Sequence, residues 1–433
     1  MNLNVLIFPA GTEIGLEIFH ALKSAKGIRL FAAGQDSSNH AKFLFQDYYV
    51  VPHVADPDCR GQLDLLCRRL AIDYIFPCHD DAIVALSDLP EGFPARAVVP
   101  SRQTCLVTRS KRQTYHCLHE FIRVPRLYDA ADKNLVYPVL VKPDRGQGSS
   151  GVTIVRSAEE LPGAMNQVVD PLVCEYLPGK EFTVDCISAH DGNVMYAQAR
   201  RRDRMRNGIS VSSTSVEWSE AMIWAVTIAK HLPMIGAWFF QVKEGVDGEL
   251  ALLEVAPRIA GSMALHRMRG VNFPLLSLLA HDNKPFSVRD NMAPMSLDRA
   301  LSNRFSHTIS FDNVYFDYDD TIIVNGRVNE EAIRFLYQCL DDSIYICLIT
   351  RYKGDLTEEL TKRRIDRLFD HIIHIRDGSP KSGHMTRPNA ILIDDSFSER
   401  NDAELHGIKA FDPSMLECLI NNKLYRTYAG KNQ

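Results

Sequence analysis

The sequence lacks the marks of several protein classes. No apolar run approaches the ~18 residues a membrane-spanning helix requires. No two of the ten cysteines are spaced CxxC, which excludes the commonest zinc patterns and gives no disulfide framework. They read instead as reduced, mostly buried thiols. Basic residues are not in excess: 49 Lys and Arg stand against 54 Asp and Glu, a formal net charge of −5. A global field for nucleic acid or an anionic membrane is therefore missing, although a local basic patch is not excluded. Residues 1–8 carry no basic stretch ahead of their apolar run, so no secretory signal is expected and a cytoplasmic location is. Gly11 and Gly15 do not complete GxGxxG, which favours a tight strand-to-helix turn over a dinucleotide site. There is no internal repeat, heptad array or low-complexity segment.

What is present is a folded, enzyme-sized composition, 45% hydrophobic and 24% charged. At roughly 150 residues per domain, 433 residues imply two to four domains. Strand-like runs at 4–8, 29–33, 48–51, 74–76 and 97–99, with a helical stretch at 62–70, suggest βαβ units and a parallel sheet in residues 1–103. A second region, 104–290, has β runs at 139–142, 152–155, 182–188 and 250–255 between glycine-bearing loops. Apolar periodicity weakens over 291–310, read as a linker. A fresh α/β unit occupies 311–433, and its polar tail after Ile420 is expected to fray.

In that last unit the strand Val314-Tyr315-Phe316 runs into Asp317-Tyr318-Asp319-Asp320-Thr321. Three carboxylates in four positions repel one another and call for a hard cation such as Mg²⁺. In an extended chain Asp317 and Asp319 point to the same side. Further strands end at Thr350 and at Asp394-Asp395, with Lys381 between them. This ordered set resembles the haloacid-dehalogenase-like (HAD) superfamily over about residues 313–420. The resemblance implies a Rossmann-like fold and a phosphatase. Asp317 would be the nucleophile and Asp319 the acid and base, while Thr350 and Lys381 would hold phosphoryl oxygens. Asp317, Asp319, Asp394 and Asp395 would hold Mg²⁺ or Mn²⁺. Asp320 departs from the family, where glycine is common. About 30 residues separate Asp317 from Thr350, and Thr350 from Lys381, which leaves no room for a large cap domain.

The central region presents Lys142 on a β run, then Gly146, Gly148, Ser149, Ser150 and Gly151, a loop able to offer backbone N–H groups to phosphate. No Gly-Lys-Ser/Thr follows, so it is not a Walker A loop. Glu175-Tyr176-Leu177-Pro178-Gly179-Lys180-Glu181 comes next, then Gln241 and Glu254 on two later strands. This order resembles the ATP-grasp superfamily, nearest its carbamoyl-phosphate-synthase-like carboxylate–amine ligases, over roughly residues 1–288. The resemblance implies an α/β pre-ATP-grasp domain followed by the α+β ATP-grasp fold. ATP would be held by Lys111, Lys142 and the glycine loop. Glu175, Tyr176 and Leu177 would form the adenine hinge, Glu181 would bind ribose, and Arg202 and Arg206 would stabilise the transferred phosphate. Gln241 and Glu254 would hold Mg²⁺, and Arg258 would clamp phosphate or an acyl-phosphate oxygen. The family's Glu-x-Asn is here Glu254-Val255-Ala256, so one metal ligand is missing.

Arg200, Arg201 and Arg204 read as a solvated basic loop. His79 and Asp81 are either substrate contacts or part of a helix start capped by Asp80 or Asp81. His266, Arg267 and Arg269 are candidate receivers of a substrate carboxylate. The expectation is a bifunctional cytoplasmic enzyme acting on a carboxylate, an amine and a phosphorylated metabolite, without nucleic-acid or membrane partners; a homodimer is allowed. An ATP-sensing phosphatase whose grasp binds nucleotide without ligating is the alternative, favoured by Ala256.

Overall fold

The computed structural model describes residues 2–146, 148, 150–421 and 423. Ser149, and the tail beyond Ile420 apart from Asn421 and Lys423, lie outside the described residues. The chain forms two compact units, one ending at Leu301 and one beginning at Ser302.

The first unit opens with five parallel strands: β1 (Leu3–Phe8), β2 (Ile28–Gly34), β3 (Tyr48–Val50), β4 (Tyr74–Pro77) and β5 (Arg96–Ala97). Their order is β3-β2-β1-β4-β5. Val5, Leu6 and Ile7 are fully buried, as a parallel strand covered on both faces requires. The helix Glu13–Leu22 follows β1, with Thr12 Oγ1 accepting the Gly15 N–H at 3.0 Å. The helix Asp80–Leu86 follows β4.

Two antiparallel sheets complete this unit. β6 (Leu127–Tyr128), β7 (Val139–Pro143), β8 (Thr153–Val155) and β9 (Pro171–Glu175) lie in the order β6-β9-β7-β8. β10 (Glu181–Ser188), β11 (Val194–Arg206), β12 (Ile209–Val216), β13 (Gly236–Glu244), β14 (Leu250–Ala256) and β15 (Ser296–Asp298) lie in the order β14-β13-β10-β11-β12-β15. Side chains alternate faces along these strands. Val184, Cys186, Phe240 and Val242 pack against the helix Ala221–His231, which leaves Thr183, Asp185 and Gln241 on the opposite face.

The structure corrects two expectations here. The arginine-rich stretch is not a loop: it is the end of β11, and Arg200 is only 2% exposed. The stretch 291–310 is not linker throughout. Ser296–Asp298 pairs with β12 (Ser212 opposite Asp298), and the Met295 N–H donates to Ser215 Oγ at 2.9 Å. A three-residue edge strand is too short to leave a periodic signal.

The second unit has a parallel sheet of β16 (Asn313–Phe316), β19 (Tyr345–Thr350), β20 (His371–His374), β21 (Ala390–Ile393) and β22 (Lys409–Phe411), ordered β20-β19-β16-β21-β22. Between β16 and β19 come a two-stranded hairpin, β17 (Ile323–Val324) and β18 (Arg327–Val328), and the helix Glu330–Asp341. Between β19 and Lys381 come the helix Leu356–Arg363 and β20. Neither interval holds a further domain. Asp320 sits at φ +52°, the left-handed conformation that glycine adopts most easily and that Asp tolerates.

His281 ends the helix Phe273–His281, and its Nε2 is buried without a hydrogen-bond partner. Burial, with Arg96 nearby, lowers its pKa to about 4. The unfolded chain would protonate it near 6.5, so its contribution is intact above that pH and is lost as pH falls from 6.5 to 4. His281→Gln should remove this dependence. The wild type should lose about 1.5 kcal/mol more than the variant between pH 6.5 and 5. Denaturant unfolding followed by tryptophan fluorescence measures this for the first unit alone, because Trp218, Trp224 and Trp238 are the only tryptophans. Parallel pH profiles for the two proteins would contradict it.

Candidate functional sites

A cleft of about 390 Å³ opens between the four-stranded and six-stranded sheets of the first unit. Its floor is built by strand register. Arg200 on β11, Thr183 on β10, Gln241 on β13 and Glu254 on β14 face one another in a single row across four strands; Gln241 and Glu254 line this cleft, and Arg200 and Thr183 line the cavity beside it. Glu181 and Lys243 form the next row, with Arg202 adjoining Glu181. Period-two alternation thus brings residues 60 or more positions apart onto one surface.

Lys142 on β7 is buried and donates from Nζ to the Tyr115 hydroxyl at 2.8 Å; that hydroxyl donates to the Leu253 carbonyl at 2.7 Å. Lys111 Nζ lies among the carbonyls of Pro143, Asp144 and Gly146 at 3.4, 3.2 and 3.4 Å. Burial lowers its pKa, while Glu254 opposes the shift. Glu254 is raised by burial, against the pull of Lys111 and Arg258. Gly148 (φ +63°) and Gly208 (φ +70°) approach so closely that a Cβ on Gly208 would overlap the Gly148 backbone. Gly146, Gly148, Ser150, Tyr176 and Leu177 line the cleft.

Several expected ligand groups have protein partners. Glu175 takes a salt bridge from Arg123 at 2.9 Å, so only the backbone of 175–177 is left for a planar base. Arg202 binds Glu181 and donates to Gln241 Oε1 at 3.0 Å and the Gly208 carbonyl at 2.6 Å. Arg258 pairs with Asp80, whose carboxyl it holds low against the upward push of burial, and it covers the Phe239 ring. Glu254 and Gln241 supply one carboxylate and one amide oxygen for a cation, and Ala256 supplies none. That donor set fits a cation only if other ligands, such as phosphate oxygens and water, complete its shell.

A second cavity of about 410 Å³ shares Gly148, Arg202, Gly208, Gln241 and Glu254 with the cleft and extends towards the five-stranded sheet. His79 lines it and caps the helix Asp80–Leu86, its Nδ1 accepting the Asp81 N–H at 3.3 Å. Asp81 is paired with Arg109 at 2.8 Å and does not line this cavity.

The expected carboxylate receivers must be corrected. His266 has no exposed surface and its Nδ1 meets Asp185 at 2.9 Å, while Arg267 holds buried Glu17 at 2.7 Å and Arg269 holds Asp290. All three join elements of the fold. Arg206 is also corrected: it lies exposed near the tip of the β11–β12 hairpin, outside both cavities. Sequence reading missed Thr183, Lys243 and Tyr115, of which strand alternation could have found the first two; it offered Asp80 as a helix cap, whereas His79 is the cap and Asp80 pairs with Arg258.

In the second unit, Asp317, Thr350 and Asp394 stand at or just beyond the C-terminal ends of β16, β19 and β21. Lys381 Nζ donates to Asp317 Oδ1 and Asp394 Oδ2, each at 2.6 Å. One oxygen from each of Asp317, Asp394 and Asp395 lies within 4.8 Å of the others, a hard donor set that fits Mg²⁺. Burial and neighbouring Asp394 raise Asp317 to about 7 despite Lys381. Asp319 falls outside this trio, which corrects its place among the cation ligands. After Asp317 the chain leaves the extended form, with the Ile322 N–H bonded to the Tyr318 carbonyl, and same-side alternation stops. Its carboxyl is raised by partial burial and by Asp320. Thr321 exchanges hydrogen bonds with Asp395, and Arg351 holds the Ser379 carbonyl at 2.7 Å beside the lysine turn; both went unassigned in sequence.

Comparison with known proteins follows the first unit. Residues 167–299 match the family described as ATP-grasp in the biosynthetic pathway with Ter operon. A D-alanine–D-alanine ligase of Thermotoga petrophila is 30% identical over 95 residues, 20% of this chain; the match spans 31% of that ligase. The biotin carboxylase domain of Hydrogenobacter thermophilus 2-oxoglutarate carboxylase, solved with MgADP and bicarbonate, is 18% identical with a TM-score of 0.57, covering 66% of this chain and 71% of that one. N5-carboxyaminoimidazole synthetase of Staphylococcus aureus, solved with ADP, gives 14% and 0.57 over 69% and 82%. An L-amino acid ligase of Bacillus licheniformis gives 20% and 0.54 over 66% and 75%. Over the part these structures cover, the chain has the ATP-grasp fold.

Proposed function

We propose that the first unit is an ATP-dependent carboxylate–amine ligase and the second a HAD-like, Mg²⁺-dependent phosphatase acting in the same pathway. The observation that carries the ligase reading is Gln241 and Glu254, paired across β13 and β14, in one cleft with Gly146, Gly148, Lys111 and Lys142. For the phosphatase it is Lys381 bridging Asp317 and Asp394.

In the ligase, Lys111, Lys142 and the loop N–H groups orient ATP so that a substrate carboxylate oxygen attacks the γ-phosphorus and ADP leaves. Arg258 steadies the acyl phosphate. An amine then attacks the acyl carbon, phosphate departs, and an amide remains. In the phosphatase, an Asp317 oxygen attacks phosphorus while Asp319 protonates the departing alcohol. Asp319 then takes a proton from water, which attacks phosphorus and frees Asp317 and phosphate. A hard divalent cation, held by Glu254 and Gln241 in one site and by Asp317, Asp394 and Asp395 in the other, would neutralise phosphoryl charge. Ala256, together with Arg202 on both Glu181 and Gln241, favours the second reading, a nucleotide sensor coupled to the phosphatase.

Two measurements test these assignments. Gly208→Ala should weaken MgATP binding at least tenfold in calorimetry, because the added Cβ displaces Gly148, with little change in tryptophan-monitored unfolding. Unchanged affinity would place the nucleotide elsewhere. The second follows ADP release with pooled carboxylates and amines, and nitrophenol release from p-nitrophenyl phosphate. Asp317→Asn should lose about a thousandfold or more of nitrophenol release and keep ADP release; Glu254→Gln should do the reverse. Loss of both activities in either variant would exclude independent sites. ATP binding without ADP release from any pair would select the sensor.

A further inference from the structure

A third cavity, of about 250 Å³, lies at the C-terminal ends of β1, β2 and β4. Ligands of open parallel sheets bind at such strand ends, where the strand order reverses. Here the chain steps outward from β1 to β2 and β3 on one side and to β4 and β5 on the other. The cavity is not isolated. Thr12 and His79 line it and also line the second cavity, which in turn shares Glu254 and Gln241 with the nucleotide cleft. Three cavities therefore run in series from the proposed phosphoryl-transfer point to the far end of the five-stranded sheet.

The chemistry of the third cavity differs from the other two. Among the described residues no Asp, Glu, Lys or Arg lines it, whereas the second cavity has Glu13, Asp80, Glu254 and four arginines. Its polar groups are the hydroxyls and amides of Gln35, Ser37, Ser38, Asn39 and Tyr48 and the imidazoles of His53 and His79, set among Pro9, Pro52 and Val54. They are set in place by backbone. Asn39 donates to the Ser37 carbonyl at 2.9 Å and to the Tyr48 hydroxyl at 3.3 Å, and that hydroxyl donates to the Gln35 carbonyl at 3.1 Å. A Cβ on Gly11 would collide with Asn39, and one on Gly34 with the Tyr48 hydroxyl, so both glycines are required for this wall. At the junction with the second cavity, His79 Nδ1 accepts the Asp81 N–H at 3.3 Å. Among the described residues no carboxylate, ammonium or guanidinium lines this cavity, so a phosphate here would meet only imidazoles, hydroxyls and amides, whereas a hydroxyl-bearing group can exchange hydrogen bonds with Gln35, Ser37 and Ser38 while its carbon skeleton packs on Pro9, Pro52 and Val54.

We infer that the substrate occupying the second cavity is elongated and extends past His79 into the third with an uncharged, hydroxyl-bearing arm, as in a sugar or polyol, and not with a phosphorylated one. This rests on the ligase reading and narrows its substrate class.

The test uses the full chain saturated with MgADP and two matched probe pairs, D-glucosamine with glucosamine 6-phosphate and gluconate with 6-phosphogluconate. Binding is measured by calorimetry or ligand-observed NMR on the wild type and on Ser38→Trp, whose indole would fill the third cavity from an exposed loop. In at least one pair the neutral-arm member should bind tenfold or more tighter than its phosphate, and Ser38→Trp should abolish that difference while leaving MgADP affinity unchanged. The inference is overturned if the phosphates bind equally or better, if Ser38→Trp leaves the preference intact, or if MgADP binds and no probe does. Failure of MgADP itself to bind would overturn the ligase reading instead.

Discussion

A single buried carboxylate organises the floor of the first unit. Asp185, with no exposed surface, takes two hydrogen bonds from Arg200, at 2.9 and 3.1 Å, and meets His266 Nδ1 at 2.9 Å. Burial alone would push this acid up, but the two bases hold it low, so it stays charged where charge is expensive. The triad ties β10 to β11 and to the helix Ala264–Met268. With β11 pinned there, Arg200 and Arg202 face the cavities, and the row through Thr183, Gln241 and Glu254 keeps its register. Removing Asp185 would leave the buried Arg200 guanidinium without its carboxylate inside the sheet, a defect of several kcal/mol.

The two sites use strands differently. In the first unit the polar groups lie on the broad face of an antiparallel sheet, where register decides which residues meet. In the second they stand at the ends of parallel strands, where the order of strands decides it. Lys381 reaches Asp317 and Asp394 because β16 and β21 are neighbours and the turn carrying the lysine is held by Arg351.

Legibility in the sequence follows the same division. Strand-end residues announce themselves, since Asp317, Thr350 and Asp394 each close a short apolar run. Face residues do not. Arg200 looks like one of several solvated arginines until its partner Asp185, 15 positions earlier, is known. His266 and Arg267 carry the chemistry of a carboxylate receptor, but their acids, Asp185 and Glu17, come from distant segments and consume it. The edge strand Ser296–Asp298 was hidden by its length. Asp319 was misplaced because same-side alternation was extended past the point where the strand ends. The strands of the five-stranded sheet were legible because their apolar runs are nearly continuous.

The Arg202 bridge has an electrical consequence. Its guanidinium neutralises Glu181 and engages Gln241 before any ligand arrives, so the cleft does not present an open field of one sign to solution. An anion bound beside Arg202 must exchange partners with groups already in contact. Such exchange occurs at distances far shorter than the ~8–10 Å over which salt screens. Ligand entry beside Arg202 would therefore turn on exchange of partners at contact range, beginning with the Arg202–Glu181 pair.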